Sequence, residues 1–204
     1  MKFATITMNR GNDRAQFLEF CHHQLSRMNT KPDKSYFICD EPKSDAIDLV
    51  PRVKLGIQMA KQDGFDLVFI VESDDFYPKD YFDNIPDADF IGSEKTTYYN
   101  LRNNTYQDFI HPKRSSLFTT GFKISALKGF NWPADDYPNL DIRLWAMRKK
   151  FRMRETGAIG VKHNCGKVGG RGHTMTMKYT DQDWEWLKSR VDNEAFLFYK
   201  SLNL

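Results

Sequence analysis

Three carboxylates stand within four residues at Glu72-Ser73-Asp74-Asp75, directly after the apolar run Phe65-Asp66-Leu67-Val68-Phe69-Ile70-Val71. Charges this close repel one another unless they share a cation, and hard oxygen ligands favour Mg²⁺ or Mn²⁺. On an extended backbone alternate side chains point the same way, so Glu72 and Asp74 are aimed together. The run before them is rich in Val, Ile and Phe and reads as a covered central strand of an α/β sheet. Such sheets take ligands beyond the carboxyl ends of their strands. The predicted chemistry is therefore a divalent cation, held by Asp74 with Glu72 or Asp75, acting on a phosphorylated ligand. A solvated acidic turn is the plainer reading of the same residues.

Two further segments carry reactive side chains. Asp141, in Leu140-Asp141-Ile142-Arg143-Leu144-Trp145, can serve as a general base toward a hydroxyl group. Following Pro138-Asn139, it is equally suited to cap a helix, because Asp satisfies amides left open at a helix start. Asp135 and Asp136 are nearby substitutes for the base. The second segment, Lys162 to His173, combines Gly166, Gly169, Gly170 and Gly172 with Lys167, Arg171, His163 and His173. Its glycines let a loop close and its cations can hold a diphosphate, so it is predicted to be a lid. A basic surface loop would have the same composition. Zinc held by His163, Cys165 and His173 would lack a fourth ligand at regular spacing. His22-His23 falls in an amphipathic stretch and reads as structural or exposed.

These groups need a scaffold, and the hydrophobic pattern supplies one. Strands are predicted at Phe3 to Met8, Ser35 to Cys39, Asp66 to Val71 and Ala88 to Gly92. Helices fall at about Asp13 to Met28 and from Ser44 to Gln62 with an interruption at Pro51. The β-α-β-α-β order implies a parallel sheet with right-handed crossovers. Downstream come a short helical piece at Lys79 to Asn84 and a hairpin across Thr96 to Ile110 turning at Asn103-Asn104. Then follow a strand at Leu117 to Ile124, a helix at Asp141 to Lys150, a strand at Ala158 to Val161 and a last helix at Asp181 to Tyr199. Trp184, Leu187, Val191 and Phe198 form the packing stripe of that last helix.

With 204 residues and sixteen Phe, the chain is expected to be one α/β domain with a sizeable core. It divides into a ligand-binding half (1–92), a second half (93–180) and a C-terminal helix (181–204). Three cysteines without paired spacing point to a reducing, cytoplasmic setting. No apolar run approaches a membrane span. The net charge of +3 excludes an argument for nucleic-acid binding from the total. The distribution is uneven: residues 148–178 carry +8, leaving −5 for the rest. A basic segment of this kind is also the footprint of a nucleic-acid partner, although aromatics interleave with it poorly.

Four strand ends and segments coincide in order: Thr7-Met8-Asn9-Arg10, Asp40, Glu72-Ser73-Asp74-Asp75 and Leu140-Asp141-Ile142-Arg143-Leu144-Trp145. Together, over about Met1 to His163, they resemble the GT-A fold glycosyltransferases, particularly the inverting family-two type. The resemblance implies a Rossmann-like, mostly parallel sheet, a nucleotide-sugar donor such as a UDP-sugar, a hydroxyl acceptor and Mn²⁺ or Mg²⁺ as cofactor. It implies that Thr7, Asn9, Arg10 and Asp40 contact the nucleotide, with Asp40 on the base. Ser73, Asp75, Lys167, Arg171 and His173 would hold the diphosphate, Glu72, Asp74 and His163 the metal, and Asp141 would be the catalytic base. Two positions depart from the family pattern: Glu72 stands for the first Asp of the metal motif, and Leu140 for the Glu before the base. The rivals are a nucleotidyltransferase, against which Arg10-Gly11-Asn12-Asp13 offers a single glycine, and a DNA-modifying glycosyltransferase using the basic 148–178 segment.

Overall fold

The computed structural model describes residues 1–11, 14–41, 47–164, 173 and 175–202. Strands β1 (Phe3–Met8), β2 (Lys34–Ile38) and β3 (Leu67–Glu72) are joined by helices α1 (Ala15–Ser26) and α2 (Leu49–Gln62). β1 lies between β2 and β3 and is parallel to both. Each crossover therefore returns the chain to the same end of the sheet, and the carboxyl ends of β1, β2 and β3 emerge side by side.

Successive residues of the central strands face opposite ways, and both faces are covered. Ala4, Ile6, Val68 and Ile70 pack with Val50, Val53, Ile57 and Ala60 of α2. Phe3, Leu67, Phe69 and Val71 pack with Cys21 and Leu25 of α1. This two-sided burial is why the strands are apolar without alternation. The contact with α2 is close: a Cβ on Gly56 would fall 2.3 Å from Ile6 Cγ2.

Beyond β3 the sheet turns mixed. β7 (Gly121–Lys123) runs antiparallel to both β3 and β4 (Phe90–Gly92), and β8 (Phe151–Met153) is parallel to β4, giving the order β2-β1-β3-β7-β4-β8. A second sheet has the order β10-β6-β5-β9, from β5 (Lys95–Asn100), β6 (Thr105–Ile110), β9 (Ile159–Lys162) and β10 (Tyr179–Thr180). Helices α4 (Glu185–Arg190) and α5 (Asn193–Ser201) pack on it through Leu187, Ala195, Phe196 and Tyr199, which meet Tyr99, Ile159 and Val161. The short helix α3 (Leu140–Trp145) packs against Phe90 and Phe122.

Several predicted elements differ. Pro51 does not interrupt α2: it lies in the first helical turn, where an amide would have no partner in any case. Lys79 to Asn84 is a series of turns instead of a helical piece, and Asn84 takes a left-handed φ of 52°. Leu117 to Ile124 is not one strand. Thr119 and Thr120 bond back to the Ser116 carbonyl, making a 3₁₀ turn at Leu117–Thr119, and only β7 joins the sheet. The helix predicted at Asp141 to Lys150 is confined to α3, and the chain after it forms β8, too short to leave a periodic signal. The predicted last helix is two helices. The Asp181 carboxylate accepts from the Trp186 and Leu187 amides and that of Asp192 from the Ala195 amide, so each Asp starts its own helix. Among the described residues no helix is long and apolar enough to cross a membrane.

Candidate functional site

The site forms where β1, β3 and β9 end together. A cavity of about 210 Å³ lies there, with Arg10, Arg14, Asp48, Arg52, Glu72, Asp74, Lys162 and His173 among its lining residues. Glu72 is the last residue of β3, and Asp74 and Asp75 follow in a tight turn. Asp75 is buried: its Oδ1 accepts from the Val161 amide at 2.7 Å, while Oδ2 has no hydrogen-bond partner among the described residues. The carbonyl of Asp75 accepts from Gln24 Nε2 at 3.0 Å, and Gln24 Oε1 accepts from the Tyr77 amide, so α1 holds the turn from behind.

Asp74 is the hub. Its Oδ2 accepts from Arg14 Nη2 at 2.6 Å, stands 2.9 Å from His163 Nε2 and is 4.0 Å from His173 Nε2. Arg14 Nη2 is also 3.1 Å from His163 Nε2. His173 is oriented by its Nδ1, which accepts from the amides of His163 and Asn164 at 3.2 and 3.3 Å. Phe17 stacks on the His163 ring with centroids 4.1 Å apart, fixing its plane.

Burial sets the electrostatics and the neighbours decide each outcome. Burial pushes the Asp74 carboxyl up, but the Arg14 charge opposes it most strongly and, with His163, leaves Asp74 well below the usual carboxylate range. Asp75 moves the other way, raised well above that range by burial against the weaker pull of Lys162. Glu72 is raised for the same reason. Burial works against the Lys162 ammonium, yet Asp75, Glu72 and Asp74 hold it above its ordinary value. Burial and then Lys162 lower the His173 imidazole to about 3. Burial lowers His163 as well, so both rings are neutral near pH 7.

Two sets of candidate ligands meet here: the ligand atoms of Asp74, His163 and His173, and those of Glu72, Asp74 and Asp75, lie in each case within 4.8 Å of one another. Carboxylate oxygens with imidazole nitrogen, and a buried carboxylate oxygen without a partner among the described residues, fit a hard divalent ion such as Mn²⁺ or Mg²⁺.

The remaining predicted positions are placed as follows. Arg10 lines the cavity and its Nε lies 3.0 Å from Asp48 Oδ1. Asn9 and Ser73 join each other, Ser73 Oγ donating to Asn9 Oδ1 at 2.9 Å, which ties the end of β1 to the turn after β3. Thr7 is buried within β1 between Phe37 and Val71. Asp40 has an exposed side chain outside the cavity lining, and its carbonyl accepts from Arg52 Nη2 at 2.5 Å. Asp141 is the second residue of α3, after Leu140 and not at the cap, and is not among the cavity-lining residues; its Oδ2 accepts from Arg114 Nη1 at 2.7 Å, and burial raises its carboxyl against the opposing Arg114 charge. Lys167 and Arg171, most of the predicted lid and Cys165 of the zinc alternative lie outside the described residues.

Sequence reasoning missed three participants. Arg14 stands directly before α1 and no motif in the sequence marks it. Arg52 clamps two strand ends, donating to the carbonyls of Asn9 and Ile38 at 2.9 and 3.1 Å. Lys162 was read only as the start of the lid.

No family model and no curated protein matches the chain. Among solved structures, residues 1–349 of S. aureus TarS in complex with UDP-GlcNAc superpose with a TM-score of 0.54 at 11% identity, covering 87% of this chain and 62% of that one. The same TarS fragment in complex with UDP gives 0.52 at 12% identity, covering 79% and 60%. The chain has a GT-A fold. It spans about three-fifths of the length of these TarS structures. In the GT-A fold of this chain the acidic turn after β3, the end of β1 and the end of β9 share one rim.

Proposed function

We propose that this protein is a metal-dependent glycosyltransferase that moves a sugar from a UDP-sugar to a hydroxyl acceptor with inversion. The observation that carries the proposal is the cluster of Glu72, Asp74 and Asp75, with His163 and His173 also grouped on Asp74, beside a cation-lined cavity at the ligand edge of a GT-A fold. The UDP and UDP-GlcNAc bound by TarS support the choice of donor. Asp74 and His163, with Glu72 or Asp75, would hold Mn²⁺ or Mg²⁺. When bound, the ion would act as a Lewis acid toward the negative charge that gathers on the departing diphosphate.

The chain's own groups do the rest. Arg10, Arg14 and Lys162 line the cavity and can bind phosphate oxygens by charge-assisted hydrogen bonds. Asp141, its carboxyl raised by burial, takes the acceptor hydroxyl proton while that oxygen forms a bond to the anomeric carbon. The bond from that carbon to the diphosphate oxygen breaks and its electron pair leaves with the nucleoside diphosphate. Lys167 and Arg171 remain assigned to the diphosphate as part of the same proposal.

The nucleic-acid reading draws less support. Of the basic segment, Arg154 is spent on the backbone carbonyls of Tyr81 and Asp83, Lys150 on Asp87, and Lys162 on the acidic cluster. Calorimetric titration with UDP and UDP-GlcNAc, with and without Mn²⁺, tests the proposal. Expected is binding that needs both the ion and Asp74, lost in Asp74→Asn while the fold persists. Equal binding by the folded Asp74→Asn variant would remove the metal assignment, and failure of both uridine nucleotides to bind would remove the donor.

A further inference from the structure

Arg14 lies where a bound cation would lie. Its Nη2 is 2.6 Å from Asp74 Oδ2 and 3.1 Å from His163 Nε2. A guanidinium only donates and keeps its proton at any pH the protein survives. With its proton on Nδ1, His163 presents the Nε2 lone pair to Arg14 and does not donate to Asp74. Two acceptor atoms thus stand 2.9 Å apart and converge on one positive group. Neighbouring ligands around an octahedral ion with ligand distances of about 2.0–2.1 Å are separated by about 2.9–3.0 Å. The pair that Arg14 bridges has the spacing of two adjacent metal ligands.

We propose that Arg14 is a built-in counter-ion at the metal locus, which a divalent ion must displace from Asp74 and His163 in order to bind. This rests on the metal-dependent reading above. The ion and the guanidinium compete for the same two atoms, so Arg14 sets the affinity for the ion. The pair is buried, with side-chain exposures of 8% for Arg14 and 5% for Asp74, and an unpaired charge there would be costly.

A second observation points to a displaceable group. Arg14 Nε is buried and has no hydrogen-bond partner among the described residues, so this position leaves one of its donors unused. Arg14 immediately precedes α1 and lines the cavity, so a guanidinium released from Asp74 faces the space assigned to the diphosphate. There Nε and Nη2 together can grip a phosphate in the two-point manner that arginine favours. One side chain would thus exchange a carboxylate partner for a phosphate partner as the site fills.

The experiment measures Mn²⁺ binding alone, without nucleotide, by calorimetry and electron paramagnetic resonance. It compares the wild type, Arg14→Met and Arg10→Met; the last removes a cavity-lining charge that pairs with Asp48. Arg14→Met is expected to bind Mn²⁺ about tenfold or more tightly, since no charge-assisted hydrogen bond must be broken first. It should melt below the wild type without Mn²⁺ and gain more from its addition. If the wild type binds Mn²⁺ and Arg14→Met binds it equally or more weakly, the displacement proposal falls and the metal-dependent reading stands. An equal gain in Arg10→Met would overturn it too, assigning the effect to general charge. If no form binds Mn²⁺, both fall. Should Arg14→Met not fold, the wild type decides by NMR: the Arg14 Nε–H signal must move as Mg²⁺ saturates the protein, and an unmoved signal would overturn displacement.

Discussion

The Tyr199 hydroxyl, in the last helix of the described chain, donates to the backbone carbonyl of Asp74 at 3.2 Å. The two residues are 125 positions apart, and both are buried. The C-terminal helices therefore do more than cover the second sheet: they hold the backbone of the turn on which the acidic cluster stands. Behind that turn Gln24 of α1 makes the matching contact to the Asp75 carbonyl. The position of the carboxylates is thus over-determined by elements from both ends of the chain.

Tyr199→Phe tests this brace. Removing the hydroxyl leaves the Asp74 carbonyl without that donor, at a cost of about 1–3 kcal/mol for a buried acceptor. Urea denaturation should show a loss in that range, and Mn²⁺ binding should weaken with it as the turn loosens. A variant with unchanged stability and ion affinity would mean that the contact contributes nothing.

Gly160 is the point at which β9 passes between rings. A Cβ there would fall 2.5 Å from Tyr98 Cδ1 and 3.1 Å from Phe118 Cε1, both part of well-packed surroundings. Gly160→Ala should cost about 1–3 kcal/mol by overpacking. Because Lys162 and His163 follow two and three residues later, nucleotide affinity should fall as well. Thermal melting and calorimetry on one preparation report both, and an unchanged melting temperature would show that the rings yield freely.

Lys162 compensates three carboxylates and lies 5.2 Å from the Tyr98 ring centroid. Lys162→Met keeps much of the stem and removes the charge. Buried ions left without a partner destabilise by about 3–5 kcal/mol, and partial exposure of Lys162 reduces the expectation to about 2 kcal/mol. Added Mn²⁺ should restore part of that loss by supplying the missing positive charge, which melting curves with and without the ion would reveal. Stability equal to the wild type in the absence of Mn²⁺ would refute the role.

The Asp141–Arg114 pair makes a pH prediction with a definite sign. Burial raises the Asp141 carboxyl and Arg114 opposes the rise, so Arg114→Gln should raise it further. A base works deprotonated, so the acidic limb of the transfer rate should move to higher pH in the variant. For stability, a folded value above the unfolded one means that the native state holds more protons between the two. The contribution is therefore full below the ordinary carboxylate value and is lost as pH rises through the raised one, over a wider window in the variant. A pH–rate profile and urea denaturation across pH 4 to 8 (a range of about four units around the affected region) check both signs. An unmoved acidic limb would remove Asp141 as the base.

The sequence by itself determined the parallel strands β1, β2 and β3, the two helices between them and the acidic turn at their ligand edge. It also placed His163 directly after a strand. These features are local: burial of both faces writes an apolar run into β3, and a crossover between parallel strands requires a helix, so pattern and order suffice. Only the tertiary structure decided which polar groups meet. Arg14 reaches Asp74 across 60 positions and His163 across 149, and nothing in its neighbourhood distinguishes it from a surface cation. β7 and β8 are three residues each, too short for periodicity, and take their place through neighbours distant in sequence. That Asp141 is engaged by Arg114 while Asp40 is exposed, and that neither is among the residues lining the cavity, was likewise invisible in their motifs. A carboxylate's partner is chosen by how the chain's crossovers bring strand ends together, and that choice is made in three dimensions.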